Sequence, residues 1–211
     1  MNIIIIGAGL AGCEAALQLR NAGHEVVMYD NKNVTKNKLY QTNNFGELVC
    51  MNTLGGLNSD IASGLFRIEL ECLWCEMLKI AHKCEIKNKN YVAVNKEKFS
   101  DLVTKQLKKS GVTIIEKEVT NIPSGDVVIF ATGPNTSKKL MENISKCFNN
   151  QIFYTSSALV PAFYENSINF NKDNFKKISD SVFKIEISTD IFEKIIEKLL
   201  VAKPTHMHYI D

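Results

Sequence analysis

The chain has 211 residues, 45% hydrophobic and 23% charged, the proportions of an ordinary globular protein long enough to bury one core, or one and part of another. Its formal net charge of +2, with no block of five or six like charges, gives no electrostatic ground for nucleic-acid binding, so an RNA partner has to be argued from motifs. The apolar run near the N-terminus stops at Gly7 and has no basic region before it, which reads as neither a signal peptide nor a membrane span; a cytoplasmic protein with its six cysteines reduced is expected.

Ile3-Ile4-Ile5-Ile6 is a run of β-branched residues, which suits a strand buried on both faces in a parallel sheet. Gly7-Ala8-Gly9-Leu10-Ala11-Gly12 follows without a gap. In that spacing Gly7 permits a sharp bend, Gly9 lets the backbone approach a pyrophosphate, and Gly12 lets the next helix lie close to the strand. Cys13, Ala16 and Leu17 give that helix an apolar stripe, and its N-terminal N–H groups face the anion. After Ala22-Gly23, the segment Glu25-Val26-Val27-Met28-Tyr29-Asp30 reads as the second strand. Asp30 closes it about 20 residues past the glycines, where a carboxylate binds the ribose of a dinucleotide.

Residues 31 to 64 are rich in Asn, Ser and Gly and read as a long loop, the kind that is usually functional or disordered. Within it, Phe45-Gly46-Glu47-Leu48-Val49-Cys50-Met51-Asn52-Thr53-Leu54 is an apolar island with one cysteine. Taken by itself, Cys50 is either a nucleophile or a small buried hydrophobe. The glycine turn with Glu14-Ala15-Ala16, joined to Glu47-Leu48-Val49-Cys50 with Asn52 and Leu54, resembles the TrmFO family of folate- and FAD-dependent tRNA uracil methyltransferases.

Between 65 and 81, Phe66, Leu70, Leu73, Trp74, Met77, Leu78 and Ala81 recur at helical spacing and predict one amphipathic helix packed on the sheet. Cys72 and Cys75 form a CxxC on it; with no second ligand pair and no βαβ context they read as incidental. Tyr91-Val92-Ala93-Val94 is a short strand, and Phe99, Leu102, Val103, Gln106 and Leu107 a helix closed by Ser110-Gly111. The chain has Asn95-Lys96 where the family carries Asp-Arg. Val112–Ile115 and Asp126–Phe130 read as further strands. The second runs into Ala131-Thr132-Gly133, whose small residues let backbone pass near a dinucleotide. Beside the N-terminal fingerprint this favours FAD over NAD.

Ile152-Phe153-Tyr154 and Thr155-Ser156-Ser157-Ala158-Leu159-Val160-Pro161 occupy the place of a family segment that carries an aspartate, absent here. Val182–Ile187 alternates with period two and reads as a half-exposed strand. Asp190 opens a final helix with Phe192, Ile195, Ile196, Leu199 and Leu200 on its apolar face, ended by Pro204. His206 and His208 do not have the spacing of a helical metal pair and read as an exposed end; no metal site is expected.

The expected fold class is α/β: a Rossmann-like, glutathione-reductase-type FAD-binding domain with a parallel sheet and a smaller inserted α+β region. Residues 1–150 are expected to form the dinucleotide-binding core, with an insertion near 82–97, and residues 151–211 a partial second region. The resemblance implies transfer of a one-carbon unit from methylenetetrahydrofolate to C5 of a T-loop uridine in tRNA, with FAD as cofactor and NAD(P)H as reductant. It maps one of the family's two functional cysteines onto Cys50; none of Cys72, Cys75, Cys84 or Cys147 has the context of the other. Cofactor contacts are assigned to Gly7, Ala8, Gly9, Leu10, Ala11, Gly12, Asp30, Thr132 and Gly133. Three alternatives stay open: an FAD-binding protein without catalysis, the folate-dependent methyltransferase of ribosomal RNA, and a plain NAD(P)-dependent oxidoreductase. A homo-oligomer is expected if a sheet face is left uncovered.

Overall fold

The computed structural model describes residues 1–35, 40–49, 51–149, 169–170, 174–179 and 182–201. The chain divides into two compact units, Met1–Ala158 and Leu159–Asp211. In chain order the first holds β1 (Asn2–Ile6), α1 (Leu10–Asn21), β2 (Glu25–Asp30), β3 (Thr53–Gly56), α2 (Ala62–Cys72) and α3 (Glu76–His82). It continues with β4 (Glu85–Ile86), β5 (Tyr91–Val94), α4 (Lys96–Lys109), β6 (Thr113–Glu116), β7 (Val127–Phe130) and α5 (Lys138–Cys147).

Four of these strands form a parallel sheet of order β6-β2-β1-β7, the Rossmann-like α/β arrangement expected from the glycine turn and its flanking strands. The isoleucine run of β1 is buried throughout, each residue at 5% exposure or less, because alternate side chains serve opposite faces. Ile3 and Ile5 pack with Ala16 and Leu17 of α1, Met77 and Ile80 of α3, and Phe99, Val103 and Leu107 of α4. On the other face Ile4 and Ile6 meet Leu140 and Ile144 of α5, and Val119 of the segment that joins β6 to β7. Each buried isoleucine contributes about 1.5–3 kcal/mol. α1 and α4 are the crossovers between parallel neighbours; Asn95 caps α4, its Oδ1 accepting the Lys98 N–H at 2.9 Å.

Between β2 and α4 lies an antiparallel sheet of order β3-β5-β4. It takes in Thr53–Gly56 as well as the stretch near 82–97, and β5 contributes the buried Val92, Ala93 and Val94. The loop expected over 31–64 is therefore shorter than its composition suggests. The β3 segment Thr-Leu-Gly-Gly carries no apolar alternation to mark it.

The single helix expected over 65–81 is instead two helices, α2 and α3, broken at Leu73-Trp74-Cys75, where Trp74 takes φ +59°. Tertiary contacts hold the break. The Trp74 carbonyl accepts Gln18 Nε2 at 3.0 Å, and the Glu14 carboxylate of α1 accepts the N–H groups of Glu76 and Met77 at 3.0 and 2.8 Å. Glu14 also takes the Cys75 thiol at 3.3 Å, so an acid on one helix caps the N-terminus of another. Phe66, Leu73 and Trp74 are consequently exposed rather than packed on the sheet. Glu14→Ala is expected to cost about 1–3 kcal/mol, since it leaves these donors unpaired. Urea denaturation followed by circular dichroism checks this, and unchanged stability contradicts the cap.

The second unit contains β8 (Phe175–Ser179), β9 (Val182–Ile185) and α6 (Thr189–Val201). β8 and β9 pair antiparallel, and α6 begins one residue before the expected Asp190. The expected apolar face of α6, Phe192 to Leu200, is exposed. Residues 152–161, Pro204, His206 and His208, on which expectations were placed, lie outside the described residues. Among the described residues no helix is long and apolar enough to cross a membrane, and Cys13, Cys72, Cys75, Cys84 and Cys147 are free thiols.

Candidate functional site

The chain turns sharply where β1 ends. Gly7 takes φ +103°, a conformation that L side chains avoid, and its N–H donates to the Tyr29 carbonyl at 2.7 Å. The three glycines of the motif then do different things. A Cβ on Gly7 would lie 2.5 Å from the Ala131 carbonyl oxygen, and one on Gly12 would lie 1.8 Å from the Gly7 carbonyl oxygen. Those two glycines let α1, the turn and β7 come together. A Cβ on Gly9 would meet nothing within 4 Å. Packing does not require glycine there; open space in front of the turn is what it preserves.

Gly9 is also the N-cap of α1, whose first turn carries no acidic residue. The N–H groups of that turn, which have no partner within the helix, and the positive end of the helix dipole form a setting for an anion. Asp30, at the end of β2, reaches back to the turn: Oδ2 accepts the Ala8 N–H at 2.7 Å, and Oδ1 accepts the Lys32 N–H at 2.8 Å. A carboxylate offers about four acceptor positions, so two remain for a ligand diol.

These residues open on a cleft of about 490 Å³ lined by Gly7–Ala11, Asp30, Lys117–Val119 and Ala131–Ser137 among others. Every one of those segments lies at or follows the carboxyl end of a strand of the parallel sheet, the position at which open α/β sheets bind ligands. The volume falls within the range of small-molecule sites. The structure thus gathers all nine residues assigned to cofactor contact at the glycine turn, the β2 end and the β7 end; eight of them line the cleft, and Gly12 supports it from behind. At the β7 end, Thr136 Oγ1 donates to the Gly133 carbonyl at 2.7 Å and accepts the Thr132 hydroxyl at 2.5 Å.

Of the cysteines, Cys13 stands beside the turn and is fully buried. Its thiol donates to the Ala8 carbonyl at 3.2 Å; burial, with the Asp30 charge nearby, pushes its pKa far up. It stays protonated and serves as packing. Cys50 lies outside the described residues; Val49 and Met51 line the cleft.

Three cleft residues, Lys32, Tyr40 and Glu47, were given no role from the sequence. Lys32 pairs with Glu47, its ammonium lies 4.5 Å from the centre of the Tyr40 ring, and the Tyr40 hydroxyl accepts Asn135 Nδ2 at 3.0 Å. Burial pushes the Tyr40 hydroxyl up. Burial acts to raise Glu47 as well, but the Lys32 ammonium, the Gln41 N–H and Thr42 hold its carboxyl below the usual range. The signal available was Glu47's place in the motif that ends at Cys50; nothing in periodicity pairs it with Lys32.

Comparison with known proteins identifies the family. The family model for glucose inhibited division protein A matches residues 2–206. The chain is 33% identical over 207 residues to the methylenetetrahydrofolate–tRNA-(uracil-5-)-methyltransferase TrmFO of Aquifex aeolicus, covering 96% of this chain and 46% of that protein. The proteins of the same name from Lactococcus lactis subsp. lactis and Fusobacterium nucleatum are 38% and 39% identical, covering 100% and 83% of this chain and 48% and 41% of theirs. The chain spans about half the length of the curated relatives it matches.

Proposed function

The chain belongs to the glucose inhibited division protein A family and groups within it with the TrmFO proteins, and from that premise we propose that it binds FAD in the cleft and serves C5 methylation of uridine in tRNA. The observation that carries the cofactor half is the open space at Gly9, set between the N-terminus of α1 and the Asp30 carboxylate. The residues present fit the group. Gly7–Gly12 and the first turn of α1 receive the diphosphate, Asp30 the adenosine ribose, and Thr132-Gly133 lets backbone pass close by. When bound, the flavin supplies redox and one-carbon transfer chemistry.

The chemistry proposed for the chain itself rests on Cys50. Its thiolate adds to C6 of uracil, which makes C5 nucleophilic toward a one-carbon electrophile at the methylene level; the bond to the one-carbon carrier breaks, the C5 proton is lost, two electrons originating from NAD(P)H with a proton bring the methylene to methyl, and expulsion of the thiolate restores the ring. Methylenetetrahydrofolate as one-carbon donor and NAD(P)H as reductant belong to the same reading, as does a cytoplasmic setting. The folate and tRNA parts are supported by the relatives' names, and the role of Cys50 by the motif Glu47-Leu48-Val49-Cys50.

A second reading, FAD binding without transfer, rests on the cleft residues alone and gives Cys50 no role. One reconstitution separates the two. The chain is incubated with FAD, carbon-labelled methylenetetrahydrofolate, NADH or NADPH, and tRNA lacking 5-methyluridine. Label in T-loop 5-methyluridine, lost in Cys50→Ala, is the expected result; retained FAD with no label selects the second reading, and label transferred equally by Cys50→Ala removes the role given to Cys50.

A further inference from the structure

The stretch 40–49, which lends Tyr40 and Gly46–Val49 to one wall of the cleft, contains no helix or strand, and a single carboxylate collects its loose donors. Glu47 Oε1 accepts the Gln41 N–H at 2.8 Å, and Oε2 accepts the Thr42 hydroxyl at 3.0 Å and the Thr42 N–H at 3.4 Å. Lys32 completes the cluster by donating from Nζ to Glu47 and to the Asn44 carbonyl. Both side chains are buried, at 8% and 6% exposure, so each charge depends on the other for compensation.

The base of the same wall is anchored independently. Phe45 and Leu48 pack into the main core, the Phe45 N–H donates to Thr104 Oγ1 at 2.8 Å, and the Gly46 N–H donates to the Ala8 carbonyl of the glycine turn at 2.9 Å. Removing the Glu47 charge therefore releases Gln41–Asn44 and leaves the anchored base and the sheet in place. A buried ion pair is weak evidence for stability as such. A pair that itself lines a ligand cleft and fixes the loop that brings Tyr40 to it is better explained by the ligand.

We propose that Glu47, with Lys32 as its counter-ion, is a positioning residue for the dinucleotide, holding the loop from Tyr40 to Asn44 so that Tyr40 keeps its place in the cleft wall that meets bound FAD. The inference deepens the FAD reading and rests on it. Neither residue touches the reacting atoms in this role.

The test uses the full chain with Glu47→Gln and Lys32→Met. Three quantities are measured for each: the FAD dissociation constant by flavin titration, amide exchange at Gln41 and Thr42 without cofactor, and cofactor-free melting. Both variants are expected to bind FAD about tenfold or more weakly, to exchange those two amides faster, and, because release of Gln41–Asn44 lets water reach the charge left behind, to melt within a few degrees of the wild type. Wild-type FAD affinity in both variants overturns the proposal, as does unchanged exchange at both amides. A cofactor-free chain that melts many degrees lower in both variants also overturns it, since Glu47 and Lys32 would then be part of the fold rather than of the site. Failure of the wild-type chain to bind FAD is a separate result, which overturns the reading beneath both.

Discussion

Gly12→Ala is expected to destabilise the first unit severely. Alanine is the better helix former by about 1 kcal/mol, so with free space at this position the substitution would stabilise. Instead the new Cβ would stand 1.8 Å from the Gly7 carbonyl oxygen, a backbone atom at a turn that the Gly7–Tyr29 hydrogen bond already holds. Relief requires α1 to move away from the turn, and α1 carries the fully buried Cys13, Ala16 and Leu17. The expected loss is about 4 kcal/mol or more, an exceptional value for one methyl group, against a typical total of about 5–15 kcal/mol. Urea unfolding followed by circular dichroism reads it. A variant as stable as the wild type, or more stable, contradicts the close packing of turn, helix and β7.

Three residues earlier the same substitution has a different outcome. Gly9→Ala adds a Cβ with no neighbour within 4 Å, at a φ of −73° that any L residue adopts. Replacing glycine by alanine at an N-cap costs about 1 kcal/mol or less, so the chain stays folded. Its FAD affinity is expected to fall about a hundredfold, because the methyl group occupies the space into which the diphosphate must come for the turn's N–H groups to reach it. Flavin titration of the folded variant measures this. Undiminished affinity in Gly9→Ala would mean that the space before Gly9 is not where the diphosphate lies.

The contrast between these two glycines also shows what the sequence discloses and what it does not. The β-branched run Ile3–Ile6, the turn after it and the acid at the end of β2 were legible because each follows from local constraints: steric preference, backbone freedom, and a fixed offset along one βαβ unit. The strands at 113–116 and 127–130 were legible for the same reason. Three other features depend on partners remote in sequence. Trp74 lies within a helical apolar pattern, and the break there is imposed by Gln18 and Glu14 more than fifty residues upstream. Thr53–Gly56 is a strand because β5 pairs with it, and Phe175–Ser179, a segment with little apolar alternation, because β9 does. Lys32 and Glu47 are charges that pattern analysis assigns to solvent; they are buried because each finds the other across a loop.

The cleft at the carboxyl ends of the sheet is most directly tested by incubating the purified wild-type chain with excess FAD, desalting it and recording the visible flavin spectrum against protein concentration. About one FAD per chain is the result expected from a cleft of this volume with one glycine turn and one ribose-binding carboxylate. A chain that is folded by circular dichroism and elutes without flavin contradicts the assignment of Gly7–Gly12 and Asp30 to FAD, and with it the roles given to Cys50 and Glu47.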